Sequence, residues 1–406
     1  MKKGYLSQYF DKVAFKSLGA VETDYQGSHQ HECNGVKDLR EMLGMPSGKV
    51  RYPAIFLYIT DEDDETLSEE GTLTWYDARE NHPTRTEWRL YYSPNTPMQH
   101  AEEGDALFIA KSAATETLLV VIAEKDSTAS SQLQWLFGIS GQINPQFSVR
   151  AELESEQDRL DFAARFILEQ IGVSIDESDE NYLEAMLMRF KNQFPTTAEF
   201  SLYARSTLPD VNCLDSPDSA LSAWMEREEI LYRTLEKHLV GEQLKKLISK
   251  ENNLLETEPF LNLAMSTFQR RKARAGSALE NHLEEIFRKF KISYTRNGIT
   301  EQRHKPDFIF PGISQYHDKN FPASKLTMLG AKSTCKDRWR QILTEADRIP
   351  RKNLITLEPS ISENQTDEMQ RENVSLIVPI GVQITYSSLQ QKWLKSLKQF
   401  ISSVQE

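Results

Sequence analysis

The chain has 406 residues, 39% hydrophobic, 27% charged and 10% aromatic, which excludes a disordered polymer and is long enough for two hydrophobic cores. No apolar run approaches the roughly 20 residues that cross a bilayer, and MKKGYLSQYFDKVAF lacks the apolar core of a secretion signal, so a cytoplasmic protein with no membrane partner is expected. Net charge is −12, but acid gathers at 61–65 and 176–180 and base at 270–274 and 332–340, so the sum does not exclude local binding of a polyanion.

Residues 1 to about 145 carry strand-length apolar runs at 52–59, 71–76, 87–92, 106–110 and 117–123. Turn-forming segments separate them, which predicts a barrel or compact β unit. A helix is expected at 132–137, and Gly138 to Pro145 breaks the pattern. Helical periodicity follows at 153–171, where Leu160, Ala164, Ile167 and Ile171 share a face, and at 181–192. Three segments result: a β unit over 1–145, a linker over 146–180 and an α/β unit over 181–406. Cys33, Cys213 and Cys335 are far apart with no CxxC pair, as expected of reduced structural thiols rather than a zinc site.

In the α/β unit, helices are expected at 218–238, 243–250, 276–290 and 338–348, with an amphipathic helix at 387–402. Strands are expected at 305–310, 326–332, 354–357 and 374–378. Asp307 opens the first of these strands and Lys332 ends the second, while Glu345 and Glu280 lie on expected helices. Carboxylates beside a lysine are what phosphodiester hydrolysis needs: acids to hold Mg²⁺, and an ammonium to position water and offset charge. Taken alone the spacing is a weak signal: Asp307 by itself is better read as a turn or cap residue, Lys332 as a solvated strand end, and Glu345 as a helix-surface acid paired with Arg348.

Longer motifs are more specific. The stretch 270–284, RRKARAGSALENHLE, resembles the start of the nuclease domain of EcoRII-type (type IIE) restriction endonucleases, within the PD-(D/E)XK superfamily. So do KPDFIFPG at 305–312, Tyr316-His317-Asp318, Phe321-Pro322 and AKSTCKDRWRQILTEAD at 331–347. The resemblance implies a multidomain protein: an N-terminal β-barrel-like effector domain that binds DNA, and a C-terminal α/β restriction-endonuclease-like domain. It assigns Asp307 and Glu345 to Mg²⁺, Lys332 to water activation and Glu280 to a supporting acidic position. Gly330 stands where the superfamily keeps an acid two residues before the lysine, and Glu345 is implied to supply that carboxylate.

Lys336, Asp337 and Arg338 follow the lysine. Arg and Lys can donate to guanine O6 and N7, and Asp can accept from cytosine N4. A charged helix start explains the same three residues, and the resemblance favours reading of CC/GG steps in a CCWGG- or CCNGG-like site. Trp224, with Met225 and Arg227 nearby, falls where relatives keep side chains for flipped central bases; a half-buried core aromatic is the alternative. In the first domain the likeness lies at 84–89, with Arg85, Glu87 and Arg89, and around His29 and His31. Cross-strand charge pairing would also account for Glu87 and Arg89. The implied whole is a homodimeric site-specific nuclease of double-stranded DNA, partnered functionally by a cytosine DNA methyltransferase.

Overall fold

The computed structural model describes residues 4–24, 31–33, 36–62, 66–175, 179–248 and 255–405, with only the backbone of Lys336 and Asp337. Residue contacts divide the chain into two units. One runs to Ser174 and includes Pro359–Glu368 and Thr385–Ser387; the other holds Ile175–Glu358, Met369–Ile384 and the chain from Ser388 on.

The first unit is built on eight strands: β1 (Phe10–Ser17), β2 (Glu32–Cys33), β3 (Val50–Ile59), β4 (Leu67–Asp77), β5 (Trp88–Tyr92), β6 (Ala106–Ser112), β7 (Leu118–Ala123) and β8 (Ser148–Arg150). They form one sheet in the order β2-β5-β4-β3-β7-β6-β1-β8, antiparallel except where β3 pairs with β7. Alternation sends Tyr52, Ala54 and Phe56 of β3 to one face, with Leu73 and Trp75 of β4 and Leu107 and Ile109 of β6. Cys33 on β2 and Phe147 beside β8 belong to the same packed cluster, although their strands are the two ends of the sheet, so the sheet curls around one core. The opposite face of β1 and β6 is covered too. Helix α1 (Thr128–Leu136) is followed by Phe137, whose ring meets Phe10 at 5.9 Å and Phe108 at 6.0 Å.

Strand β1 escaped the sequence pattern because one inward residue is a lysine. Lys16 is buried, its ammonium 2.6 Å from Glu22 and 5.4 Å from the centre of the Phe147 ring. The pair satisfies a charge that would otherwise be expensive to bury. The helix expected over 153–171 is shorter, α2 (Phe162–Gln170), started by an Asp161 cap on the Ala164 amide; Leu160, Ala164, Ile167 and Ile171 are buried as expected.

The second unit packs helices against a five-stranded mixed sheet. After α3 (Leu183–Phe190) come α4 (Thr197–Ser206), α5 (Pro217–Lys246) and α6 (Thr257–Lys289). The two helices expected at 218–238 and 243–250 are one, since Gly241 does not break α5, and the helix expected at 276–290 is only the second half of α6. The sheet order is β13 (Val374–Ile377), β12 (Lys352–Thr356), β11 (Thr327–Lys332), β10 (Phe308–Phe310), β9 (Thr295–Arg296). Strands β11, β12 and β13 run parallel, while β10 opposes both β9 and β11. The inner strands are short and buried along almost their whole length because both faces are covered, and they are apolar at most positions. The C-terminal helix is confined to Leu397–Gln405. All three cysteines are buried free thiols.

Candidate active site

The antiparallel pairing of β10 with β11 sets Phe308 opposite Leu329, so the start of one strand lies beside the end of the other. That register brings together two residues far apart in sequence. Asp307, just before β10, accepts the Ala331 amide at Oδ2 over 2.7 Å, and the same oxygen is 3.2 Å from Nζ of Lys332. Both side chains are nearly buried, at 12% and 13% exposure, so the pair is weakly screened by water.

Gly330, between Leu329 and Ala331, has no room for a side chain. A Cβ there would stand 2.7 Å from Cγ2 of Ile342. Ile342 belongs to a 3-10 turn run, Lys336–Thr344, that packs onto β11 and β12. The sequence pattern predicted an α-helix through Glu345 and Arg348. Within the run Trp339 and Ile342, three apart and so on one side of it, are both fully buried. Glu345 lies in extended backbone just past the run, at φ −89° and ψ 142°, rather than on a helix.

Its carboxyl is held above the usual carboxylate range by burial, with Asp307 adding like charge and Lys332 opposing it. Asp307, Lys332 and Glu345 thus share one electrostatic neighbourhood. Oε2 of Glu345 is buried without a hydrogen-bond partner. Arg348 does not pair with it; its guanidinium donates to the carbonyls of Tyr316, Asp318 (3.0 Å) and Phe321 (2.8 Å), stapling the loop after β10.

Glu280, on α6, is raised by burial and by Asp307 across the cleft, against Arg296 and Lys332. Arg296 on β9 grips it through Nη2 at 2.8 Å and Nε at 3.1 Å, and also meets Glu284 at 2.8 Å and Asn281 at 2.9 Å. Sequence spacing gave no sign of Arg296, a lone arginine on a two-residue strand. Only its pairing opposite Phe308 places it beside the acids.

Among the described residues no three His, Cys, Asp or Glu side chains gather into a metal-holding group. Mg²⁺ needs fewer: one or two carboxylates, completed by substrate phosphate and water. The unpartnered Glu345 oxygen and the Asp307 carboxylate, with Lys332 beside them, fit that donor set.

The other predicted residues divide. Arg338 is half-buried in the 3-10 run, and the side chains of Lys336 and Asp337 lie outside the described set. Trp224 does not line an open pocket. It is 5% exposed, its ring 5.7 Å from that of His282 and under the Arg205 guanidinium at 5.8 Å, so protein rather than solvent covers it. In the first unit His29 lies outside the described residues. His31 accepts the Tyr92 amide through its carbonyl at 2.9 Å, and its ring meets that of Tyr92 edge-on at 5.6 Å. Arg85 is exposed just before β5. Glu87 sits between Arg79 at 2.5 Å and Arg89 at 2.7 Å, and Arg89 continues to Glu32 at 3.2 Å on the neighbouring strand, a chain of surface ion pairs near the β2 edge.

Comparison with known proteins bears on this arrangement. Residues 232–401 match the family model described as EcoRII C terminal. The type II restriction enzyme EcoRII of Escherichia coli is 36% identical over 234 residues, covering 57% of this chain and 56% of that protein. The type II restriction enzyme SsoII of Shigella sonnei is 28% identical over 129 residues, covering 29% of this chain and 41% of that protein. The chain thus spans about half the length of the curated relatives it matches. Among solved structures, metal-depleted Ecl18kI in complex with uncleaved DNA has a TM-score of 0.45 at 19% identity, covering 55% of this chain and 83% of that one. Restriction endonuclease PspGI in a substrate DNA complex has a TM-score of 0.42 at 17% identity, covering 52% and 92%. Over the matched region the chain is similar to EcoRII-type restriction enzymes, and the matched segment contains Asp307, Lys332, Glu345 and Glu280.

Proposed function

We propose that this chain is a Mg²⁺-dependent type II site-specific deoxyribonuclease. The observation that carries the proposal is the pairing of Asp307 with Lys332 where β10 begins and β11 ends, in one electrostatic neighbourhood with Glu345 and its unpartnered Oε2, within the segment similar to EcoRII. Asp307 and Glu345 would hold the metal, and Glu280, tied by Arg296, would keep the cleft acidic. When bound, Mg²⁺ supplies charge to the scissile phosphate and acidifies water. Lys332, steered by Asp307, orients the attacking water and offsets charge developing on the phosphate. Burial of the pair strengthens that interaction.

Lys336, Asp337 and Arg338, a few residues beyond Lys332, would read G·C pairs of a CCWGG- or CCNGG-like site. The first unit, through Arg85, Glu87, Arg89 and the segment around His29 and His31, would bind a second copy of the site as an effector domain; its curled sheet suits the barrel-like form expected of such a domain. A cytosine methyltransferase in the same cytoplasm would protect the host.

A symmetric duplex site has two strands to cut, and one chain carries one such site, so a homodimer is proposed. Exposed Phe260, Leu261, Met265 and Phe268 recur at helical spacing along the first half of α6. Glu258 stands at one end of this stripe and Lys272 at the other, so antiparallel docking on a second copy sets opposite charges together.

The test is substitution. Asp307→Ala, Lys332→Ala and Glu345→Ala should each abolish DNA cleavage in Mg²⁺, while Lys332→Ala still binds the specific duplex in a gel-shift assay. Near wild-type cleavage by any one of them overturns the site.

A further inference from the structure

Lys352, at the start of β12, is only 6% exposed. Its ammonium donates to the carbonyl of Glu345 at 2.5 Å and of Ala346 at 2.9 Å. Those carbonyls form the corner at which the chain leaves the 3-10 run: Thr344 ends the run, Glu345 is extended, and Ala346 adopts a left-handed φ of 52°. Left-handed backbone is unfavourable for a residue with a Cβ and persists only where its surroundings enforce it. A buried ammonium is itself expensive, and among the described residues no carboxylate forms an ion pair with Lys352; the charges facing it are Asp347, Glu345 and Glu301. A lysine at this point therefore does something that an apolar side chain would not.

We propose that Lys352 is a positioning residue for the nuclease centre. It clamps the Glu345–Ala346 corner, the backbone from which the Glu345 carboxylate projects into the electrostatic neighbourhood of Asp307 and Lys332. The substitution of acid position along the chain thus has two parts: Ile342 fills the space over Gly330, and Lys352 fixes the backbone from which the replacement acid projects. This rests on the proposed role of Glu345 as a metal-holding acid.

The experiment measures Mn²⁺ binding to the full-length protein by electron paramagnetic resonance, with thermal melting and metal-free DNA binding recorded on the same samples. Lys352→Met should weaken Mn²⁺ binding by about tenfold or more, as loss of outer-shell partners does at metal centres. Lys352→Arg, which can still donate to both carbonyls, should recover most of it. Glu345→Gln serves as the reference and should show at least the same loss. If Lys352→Met does not fold, Lys352→Gln takes its place, with an expected loss between those of the Arg and Met variants. Weakened binding in Glu345→Gln with wild-type binding in Lys352→Met overturns the positioning role alone. Wild-type binding in Glu345→Gln overturns the proposed site itself. Equal losses in the Met and Arg variants, tracking a lowered melting temperature, would make Lys352 a fold-stabilising residue and also overturn the inference.

Discussion

At the scale of single residues, a fully buried ionisable pair lies among α4, α5 and α6. Glu228 and His282 have no solvent exposure. Nε2 of His282 is 3.0 Å from Glu228, and Nδ1 is 3.0 Å from the Arg205 guanidinium, which can only donate. The ring therefore carries its proton on Nε2 and is neutral. Burial, only partly opposed by Glu228, holds the His282 pKa below its ordinary 6.5. Burial alone would raise the Glu228 carboxyl, but His282 and Arg274 outweigh it and hold it below the usual carboxylate range. The sign of the linkage follows. As pH falls below 6.5 the unfolded chain binds a proton on this histidine that the folded chain refuses, so stability drops through that window. Glu228 adds a further loss at more acid pH. The urea midpoint of the wild type should fall between pH 7.5 and 5.5, and the fall should be smaller in His282→Gln. Parallel falls in both would remove His282 as the cause.

At the scale of elements, the close packing of the 3-10 run on β11 makes Gly330 sensitive. Gly330→Ala places a methyl group against Ile342 and should cost about 1–3 kcal/mol by overpacking. Since Ile342 leads to Glu345, cleavage should drop as well. Ile342→Ala in the same chain should restore part of the activity. An unchanged melting temperature and rate in Gly330→Ala would show that the run yields freely.

How far these elements were legible in sequence depended on what each side chain faces. Strands β3 to β7 and β10 to β13 were visible as alternating or continuous apolar runs. Strand β1 was hidden by its inward Lys16, and β9 was too short to carry a pattern. The first half of α6 was missed because its large apolar residues face outward, giving no buried face to match. Asp307 and Lys332 were readable as strand ends. Glu345 was expected on a helix over 338–348, whereas it lies in extended backbone just past the 3-10 run. Arg296 and Lys352 left no trace in sequence; each acts through a contact made only after the sheet forms.

At the scale of the whole molecule, the proposed double-strand cleavage would use two copies of the site, one for each strand. The protein should sediment as a dimer at assay concentration. Met265→Asp or Phe268→Asp, which puts charge into the exposed stripe of α6, should shift it toward monomer and convert double-strand breaks into slow nicking. A wild-type monomer, or a dimer indifferent to both changes, would move the interface elsewhere or remove it. The central claim is site-specific hydrolysis itself. Its most direct measurement is digestion of a plasmid of known sequence with the full-length protein and Mg²⁺, followed by run-off sequencing of the ends. The account predicts that every end falls at a CCWGG- or CCNGG-like site and that Lys332→Ala yields none. Intact plasmid, or ends scattered without regard to sequence, would contradict it.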